Sequence, residues 1–249
     1  MTSQIPAALK PGSWSLCAYL TAGFPSADSF GDVLNSVARV ADLIEIGVPF
    51  SDPIADGVTI QSSSAKALAA GITLDWILDL LSSQVPSVPV LLMGYYNPFL
   101  AYGIERLGSD LVTARVSGLI VPDLPLEESA DLNLYLLTAG IDLIQLVAPT
   151  TPGERLRRLA AASRGAIYAV TRNGVTGGQA RIEPETVSYL ERVRQASSLP
   201  VMVGFGIRTK DQIRALTPHA DAIVVGSALV EVLDRGQDPA EFLRKLREP

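Results

Sequence analysis

Residues 43–61 read Leu-Ile-Glu-Ile-Gly-Val-Pro-Phe-Ser-Asp-Pro-Ile-Ala-Asp-Gly-Val-Thr-Ile-Gln. An apolar run carries one carboxylate, Glu45, leaves through Gly47 and Pro49, and crosses a loop holding Asp52 and Asp56. Helix-like spacing follows from about residue 59 to 70. The same strand–loop–helix unit recurs along the chain. Apolar runs stand at 15–20, 43–48, 89–95, 118–121, 143–148, 166–171, 200–205 and 222–226. Between them apolar residues fall three and four apart, as in Phe30, Val33, Leu34 and Val37, among helix-favouring Ala, Leu, Arg and Glu. Ser26 and Thr209 read as helix starts, Gly71 and Gly140 as helix ends. Strands apolar on both faces that alternate with helices form a parallel sheet covered by helices. Eight such units in 249 residues predict one closed (β/α)8 TIM barrel over residues 1–249, with its first strand from about residue 15. No Gly-x-Gly-x-x-Gly follows the first strand, which weakens a dinucleotide-binding alternative.

The chain is 48% hydrophobic, 18% charged and carries a net charge of −6. That balance argues against nucleic-acid and anionic-membrane surfaces, so an anionic substrate needs a local trap. No run reaches the ~18 apolar residues of a membrane span. The single cysteine, Cys17, lies in an apolar stretch and has no intrachain partner; a reducing cytoplasm is the simple reading.

In a barrel the chemistry sits at the C-terminal strand ends and in the loops that follow. The last three ends are rich in glycine: Gly174, Gly177 and Gly178 after strand 6, Gly206 after strand 7, and Gly226-Ser227 after strand 8. Backbone N–H groups and a helix start at these places predict a phosphate site after strands 6–8. Tight strand–helix turns would also use these glycines. The long stretch 171–184, with Arg172 and Arg181, reads as a lid over the barrel mouth, against the alternative of a mobile surface loop.

Alternation turns Leu43, Glu45 and Gly47 to one face of strand 2 and the branched Ile44, Ile46 and Val48 to the other. Branched residues suit packing against helices, so Glu45 is expected inside the barrel. There burial should raise its pKa into the range of a general acid or base; a structural, paired Glu is the alternative. Asp56 lies eleven positions further on and can reach the same cavity, although beside Gly57 it is equally a turn residue. Asp123 reads as structural at least as readily as functional. Tyr168 falls on strand 6, either in the site or as core with a satisfied hydroxyl. None of the four lysines, Lys10, Lys66, Lys210 and Lys245, lies at a strand end, so a Schiff base lacks its amine. The one histidine, His219, precedes strand 8 on the opposite side of the barrel, so a His-ligated zinc site is not supported. Acid–base catalysis by carboxylates, without metal or cofactor, on a small phosphorylated substrate remains.

The stretch 43–61 also closely resembles a motif of the tryptophan synthase alpha chain family. So, in order, do Thr21-Ala-Gly-Phe-Pro, Gly94-Tyr-Tyr-Asn-Pro, Val121-Pro-Asp-Leu-Pro-Leu-Glu-Glu-Ser, Arg172-Asn-Gly-Val-Thr-Gly, Gly204-Phe-Gly-Ile and Val225-Gly-Ser-Ala, covering about residues 15–245. The resemblance implies a lyase of tryptophan biosynthesis that splits indole-3-glycerol phosphate into indole and glyceraldehyde 3-phosphate by retro-aldol cleavage. By resemblance Glu45 is the general acid–base group, Asp56 the carboxylate on the indole N–H, and Tyr168 the tyrosine beside the catalytic Glu. Tyr19 and Tyr95 line the indole pocket. Gly177, Gly206, Gly226 and Ser227 form the phosphate cradle with Phe205 beside it, and Thr176 is a lid threonine that touches the Asp56 loop. It also implies a β-subunit partner carrying pyridoxal phosphate, in an α2β2 assembly, met by a loop with Pro49, Asp52 and Pro53.

Three departures stand out. Val58 replaces a common proline. Pro6 and Pro11 argue against an opening helix, and the sequence stops soon after Leu246, which leaves the closure of the barrel's bottom face open. Competing readings are a stand-alone lyase with no β partner, a catalytically weak subunit that activates a partner, and a different phosphosugar isomerase on the same barrel.

Overall fold

The structure is a computed structural model; it describes residue 3 and residues 5–9, 13–171, 183–204 and 206–248. Eight parallel strands close on themselves in sequence order. They are β1 (Ser15–Thr21), β2 (Leu43–Gly47), β3 (Val90–Met93), β4 (Val116–Ile120), β5 (Asp142–Val147), β6 (Ile167–Val170), β7 (Val201–Gly204) and β8 (Ala222–Val225). Each lies within a few residues of an apolar run read from sequence. β1 and β2 are buried at every position, as strands with packing on both faces must be.

The helices described are α1 (Ile5–Ala8), α2 (Ala27–Ala38), α3 (Val58–Ala69), α4 (Leu74–Ser83), α5 (Tyr96–Tyr102), α6 (Ile104–Thr113), α7 (Ala130–Ala139), α8 (Gly153–Ala162), α9 (Pro184–Ala196), α10 (Lys210–Leu216), α11 (Ser227–Asp234) and α12 (Pro239–Arg247). Their caps explain their bounds. Ser26 accepts from the Ser29 N–H at 3.3 Å at the start of α2. Thr209 and Gln212 form a reciprocal capping box on α10. Gly140 ends α7 in the left-handed conformation.

The bottom face corrects one expectation. A helical turn, α1, does precede β1 despite Pro6, because a proline in the first turn forfeits an N–H that has no helical partner there. Its Ile5 is fully buried, and a Cβ at Gly118 or Gly165 would meet the Ile5 Cδ1 at 3.1 or 2.8 Å. Ile5 therefore fills the N-terminal mouth of the barrel. At the other end of the chain, Arg247 donates to the Val40 carbonyl and to Asp42 Oδ2 and stands 5.7 Å from the Trp14 ring centre. Asp42 Oδ2 also accepts from the Leu16 N–H at 2.9 Å. α12 is thus fastened to the feet of β1 and β2.

Arg247→Ala should cost about 1–3 kcal/mol, because it removes one cation from Asp42 and takes this donor from the Val40 carbonyl. Urea unfolding checks this as a lower midpoint at unchanged slope. A loss below ~0.5 kcal/mol would place Arg247 among ordinary surface residues.

Candidate active site

Glu45 sits mid-strand in β2, is 1% exposed, and pairs in register with Tyr19 of β1. Its position inside the barrel follows from the alternation read in sequence. The space around it depends on two glycines. A Cβ on Gly47, two residues on and on the same face, would lie 2.0 Å from the Tyr19 hydroxyl. A Cβ on Gly204 would lie 2.3 Å from the Tyr168 hydroxyl. The two tyrosine side chains thus occupy room that only glycine leaves at the ends of β2 and β7.

Tyr19 and Tyr168 are buried and both face the Glu45 charge. Burial pushes the Glu45 carboxyl up to about 8, with the Asp56 charge adding and a hydrogen bond from the Tyr168 hydroxyl opposing. Glu45 Oε2 is buried and has no hydrogen-bond partner. A neutral carboxyl with one free oxygen is a proton donor in waiting. Burial raises both tyrosine hydroxyls well above their ordinary value, so they remain protonated donors.

Asp56 lies in the loop between β2 and α3, partly buried, its carboxyl raised by desolvation and lowered by a hydrogen bond from Tyr95. The Tyr95 hydroxyl donates to Asp56 Oδ2 at 3.1 Å and accepts from the Ala55 N–H at 2.8 Å, while its ring stacks on Phe50 with centroids 5.0 Å apart. Tyr95 therefore holds the Asp56 loop. The resemblance implies for it only a place in the indole pocket, because a hydroxyl reaching across from the next strand end leaves no local signal. Gly47 and Gly204 were missed for the same reason, although the Gly two places beyond Glu45 on its own face was a usable clue.

Gly206 has φ +77°, a conformation strained for any side chain, in the turn between β7 and α10. Gly226 caps α11 and Ser227 is its first residue. Both follow the C-terminal ends of their strands, as the Asp56 loop does. Thr176, Gly177 and Phe205, together with Arg172, Gly174, Gly178 and Arg181, fall outside the described residues. Asp123 Oδ1 accepts from the Tyr96 N–H at 2.9 Å at the start of α5, a structural use. His219 lies in the turn before β8, and Cys17 is core. Pro49 is buried; Asp52, bonded by the Ser51 hydroxyl at 2.5 Å, and Pro53 lie in the outer loop beside Ile54 and Val58, which are 87% and 81% exposed. Among the described residues no group of three or more His, Cys, Asp and Glu could hold a metal ion, and no helix is long and apolar enough to cross a membrane.

A (β/α)8 barrel that gathers two raised carboxyls and a set of tyrosines in its strands and the loops after them defines an acid–base enzyme of the barrel class. Comparison with known proteins names the family. The profile of the tryptophan synthase alpha chain matches residues 7–248. The tryptophan synthase alpha chain of Nitratidesulfovibrio vulgaris is 44% identical over 248 residues, covering 98% of this chain and 96% of the relative. That of Roseiflexus castenholzii is 43% identical, covering 95% and 94%. Among solved structures, a chain of Mycobacterium tuberculosis tryptophan synthase superposes with TM-score 0.90 at 31% identity over 100% of both chains. A chain of the tryptophan synthase α2β2 complex of Pyrococcus furiosus superposes with TM-score 0.87 at 35% identity, covering 95% and 97%. The chain belongs to the tryptophan synthase alpha chain family.

The raised Glu45 carboxyl also makes stability depend on pH. Between about 4.5 and 8 the folded chain keeps the proton that the unfolded chain releases. The group's stabilisation is therefore complete below the lower value and is lost as the pH rises through the upper one. Glu45→Gln cannot ionise, so its stability relative to the parent should climb between about pH 5 and pH 9 in urea unfolding. A difference that stays constant across that range would mean that Glu45 titrates normally.

Proposed function

We propose that this chain cleaves indole-3-glycerol phosphate to indole and glyceraldehyde 3-phosphate, with Glu45 as the proton shuttle, Asp56 as the partner of the indole N–H and Tyr168 as the group that orients Glu45. The observation that carries the reading is the buried, unpartnered Oε2 of a carboxyl that is neutral near pH 7. Neutral Glu45 gives its proton to indole C3, and positive charge develops on the ring nitrogen. The Asp56 carboxylate stabilises that charge through the N–H. The Glu45 carboxylate just formed then takes the proton of the glycerol hydroxyl next to the bond that breaks. The C–C electrons return to the indole ring, the aldehyde forms, and Glu45 ends protonated as it began. One group releases and regains one proton, so no metal, Schiff base or cofactor is needed to balance the step.

Tyr19 and Tyr95 wall the indole end. Gly206, Gly226 and Ser227, with Gly177, cradle the phosphate through backbone N–H groups and a helix start, Phe205 being the residue beside that cradle in the family pattern. Thr176 matches the family's lid threonine. The exposed Ile54 and Val58, beside Asp52 and Pro53, supply apolar surface for a β subunit. The α2β2 assembly of the Pyrococcus furiosus relative supports that partner, which would carry the pyridoxal phosphate. A reducing cytoplasm is the matching compartment.

Glu45→Gln should keep the fold yet lose indole release by a factor of roughly 100 or more, since it removes the group that moves the proton. The check is the indole formed from indole-3-glycerol phosphate, with and without a β subunit. Near-parental turnover in the variant would contradict the role of Glu45. Activity that does not respond to saturating β subunit would favour a stand-alone lyase.

A further inference from the structure

Glu231 lies one turn into α11, four residues beyond Ser227. Its carboxylate takes both terminal nitrogens of Arg208, Nη2 on Oε1 at 2.7 Å and Nη1 on Oε2 at 2.8 Å. The Thr59 hydroxyl donates to the same Oε1 at 3.3 Å, and Arg235 stands 3.7 Å from Oε2. The Arg208 guanidinium holds Glu231 below the usual carboxylate range. These donors come from different strand ends. Thr59 is in the first turn of α3, directly after the Asp56 loop. Arg208 lies between Gly206 and α10, where its own N–H donates to Gln212 Oε1 at 2.7 Å. Glu231 is on the helix that Gly226 caps. One carboxylate therefore joins the chain segments that follow β2, β7 and β8. Lys66 and Asp234, 2.6 Å apart, tie α3 to α11 a second time.

The side chains of Arg208 and Glu231 are 47% and 27% exposed. Ion pairs that open to water add little to global stability. A bidentate fork does fix orientation, and that is the consequence here. We propose that Glu231 is a positioning residue that couples the Asp56 loop to the phosphate-binding loops, so that occupation of the phosphate end sets Asp56 against the indole end. The proposal rests on the reading of Gly206, Gly226 and Ser227 as phosphate groups. Glu231 touches no reacting atom; it links the segments that hold the two ends of one substrate, and misplacement of either end costs rate.

The test uses Glu231→Gln, Thr59→Val and the double variant. It reads calorimetric binding of glycerol 3-phosphate, which has the phosphate but no indole, and KM and kcat for indole-3-glycerol phosphate. Thr59 is on the Asp56 side and far in sequence from the glycines, yet each single variant should weaken glycerol 3-phosphate roughly 3- to 10-fold and raise KM comparably. The double variant should bind no more weakly than Glu231→Gln alone, because both changes break one link. If Glu231→Gln does not fold, Thr59→Val carries the same comparison. Parental affinity and KM in the variants, with only a lower Tm, would reduce Glu231 to a structural ion pair and overturn the coupling. If the parent chain binds glycerol 3-phosphate but releases no indole, the lyase reading fails while the affinities still decide the coupling. If the parent binds no glycerol 3-phosphate, the phosphate reading and the coupling both fall.

Discussion

A carboxyl cannot enter the interior of a barrel without losing its water, and Glu45 has lost nearly all of it. The structure around it answers that constraint. Desolvation keeps the group protonated near neutrality, and the Asp56 charge reinforces the effect. Tyr168 supplies a donor, Tyr19 packs beside it, and one carboxyl oxygen is left open. The tyrosines fit because Gly47 and Gly204 carry no side chain. A costly buried acid and two buried glycines are thus parts of one arrangement, in which the cost of burial becomes the driving force for proton donation.

The rim extends the same logic outward. Tyr95 fixes the Asp56 loop from β3's end through two hydrogen bonds, one to the backbone of Ala55 and one to the carboxylate itself. Glu231 fixes the far side of that loop through Thr59, and joins it to the segment after β7. Loops over a barrel mouth carry the chemistry, but they need such fastenings to hold groups within the small tolerances that catalysis requires. Glu45, the proposed proton shuttle, is held by a strand; Asp56, the proposed partner of the ring charge, is held by side chains from its neighbours.

The barrel was legible in sequence because its strands are buried on both faces. Runs such as 15–20 and 222–226 have no polar face to confuse the reading, and the eight alternations allow few other architectures. Strand ends were less legible: β4 begins at Val116, two residues before its expected start at Gly118, because Ser117 interrupts the apolar run. The opening turn was misread by giving Pro6 the effect it would have in a helix interior. Glu45 was legible as an anomaly of charge in an apolar strand. The clasp of Tyr95 on Asp56, the space left by Gly204 and the bridge through Glu231 were not, since each joins residues 23 or more positions apart whose meeting depends on barrel register rather than on local pattern.

The central claim is that Glu45 is protonated at neutral pH because it is dry. Carbon-13 labelling of the glutamate side-chain carboxyls, with Glu45→Gln to assign the resonance, measures its titration directly. The account predicts a midpoint near 8, well separated from the exposed glutamates. A midpoint near the ordinary glutamate value of about 4.3 would contradict it, because an ionised Glu45 has no proton to give to the indole ring.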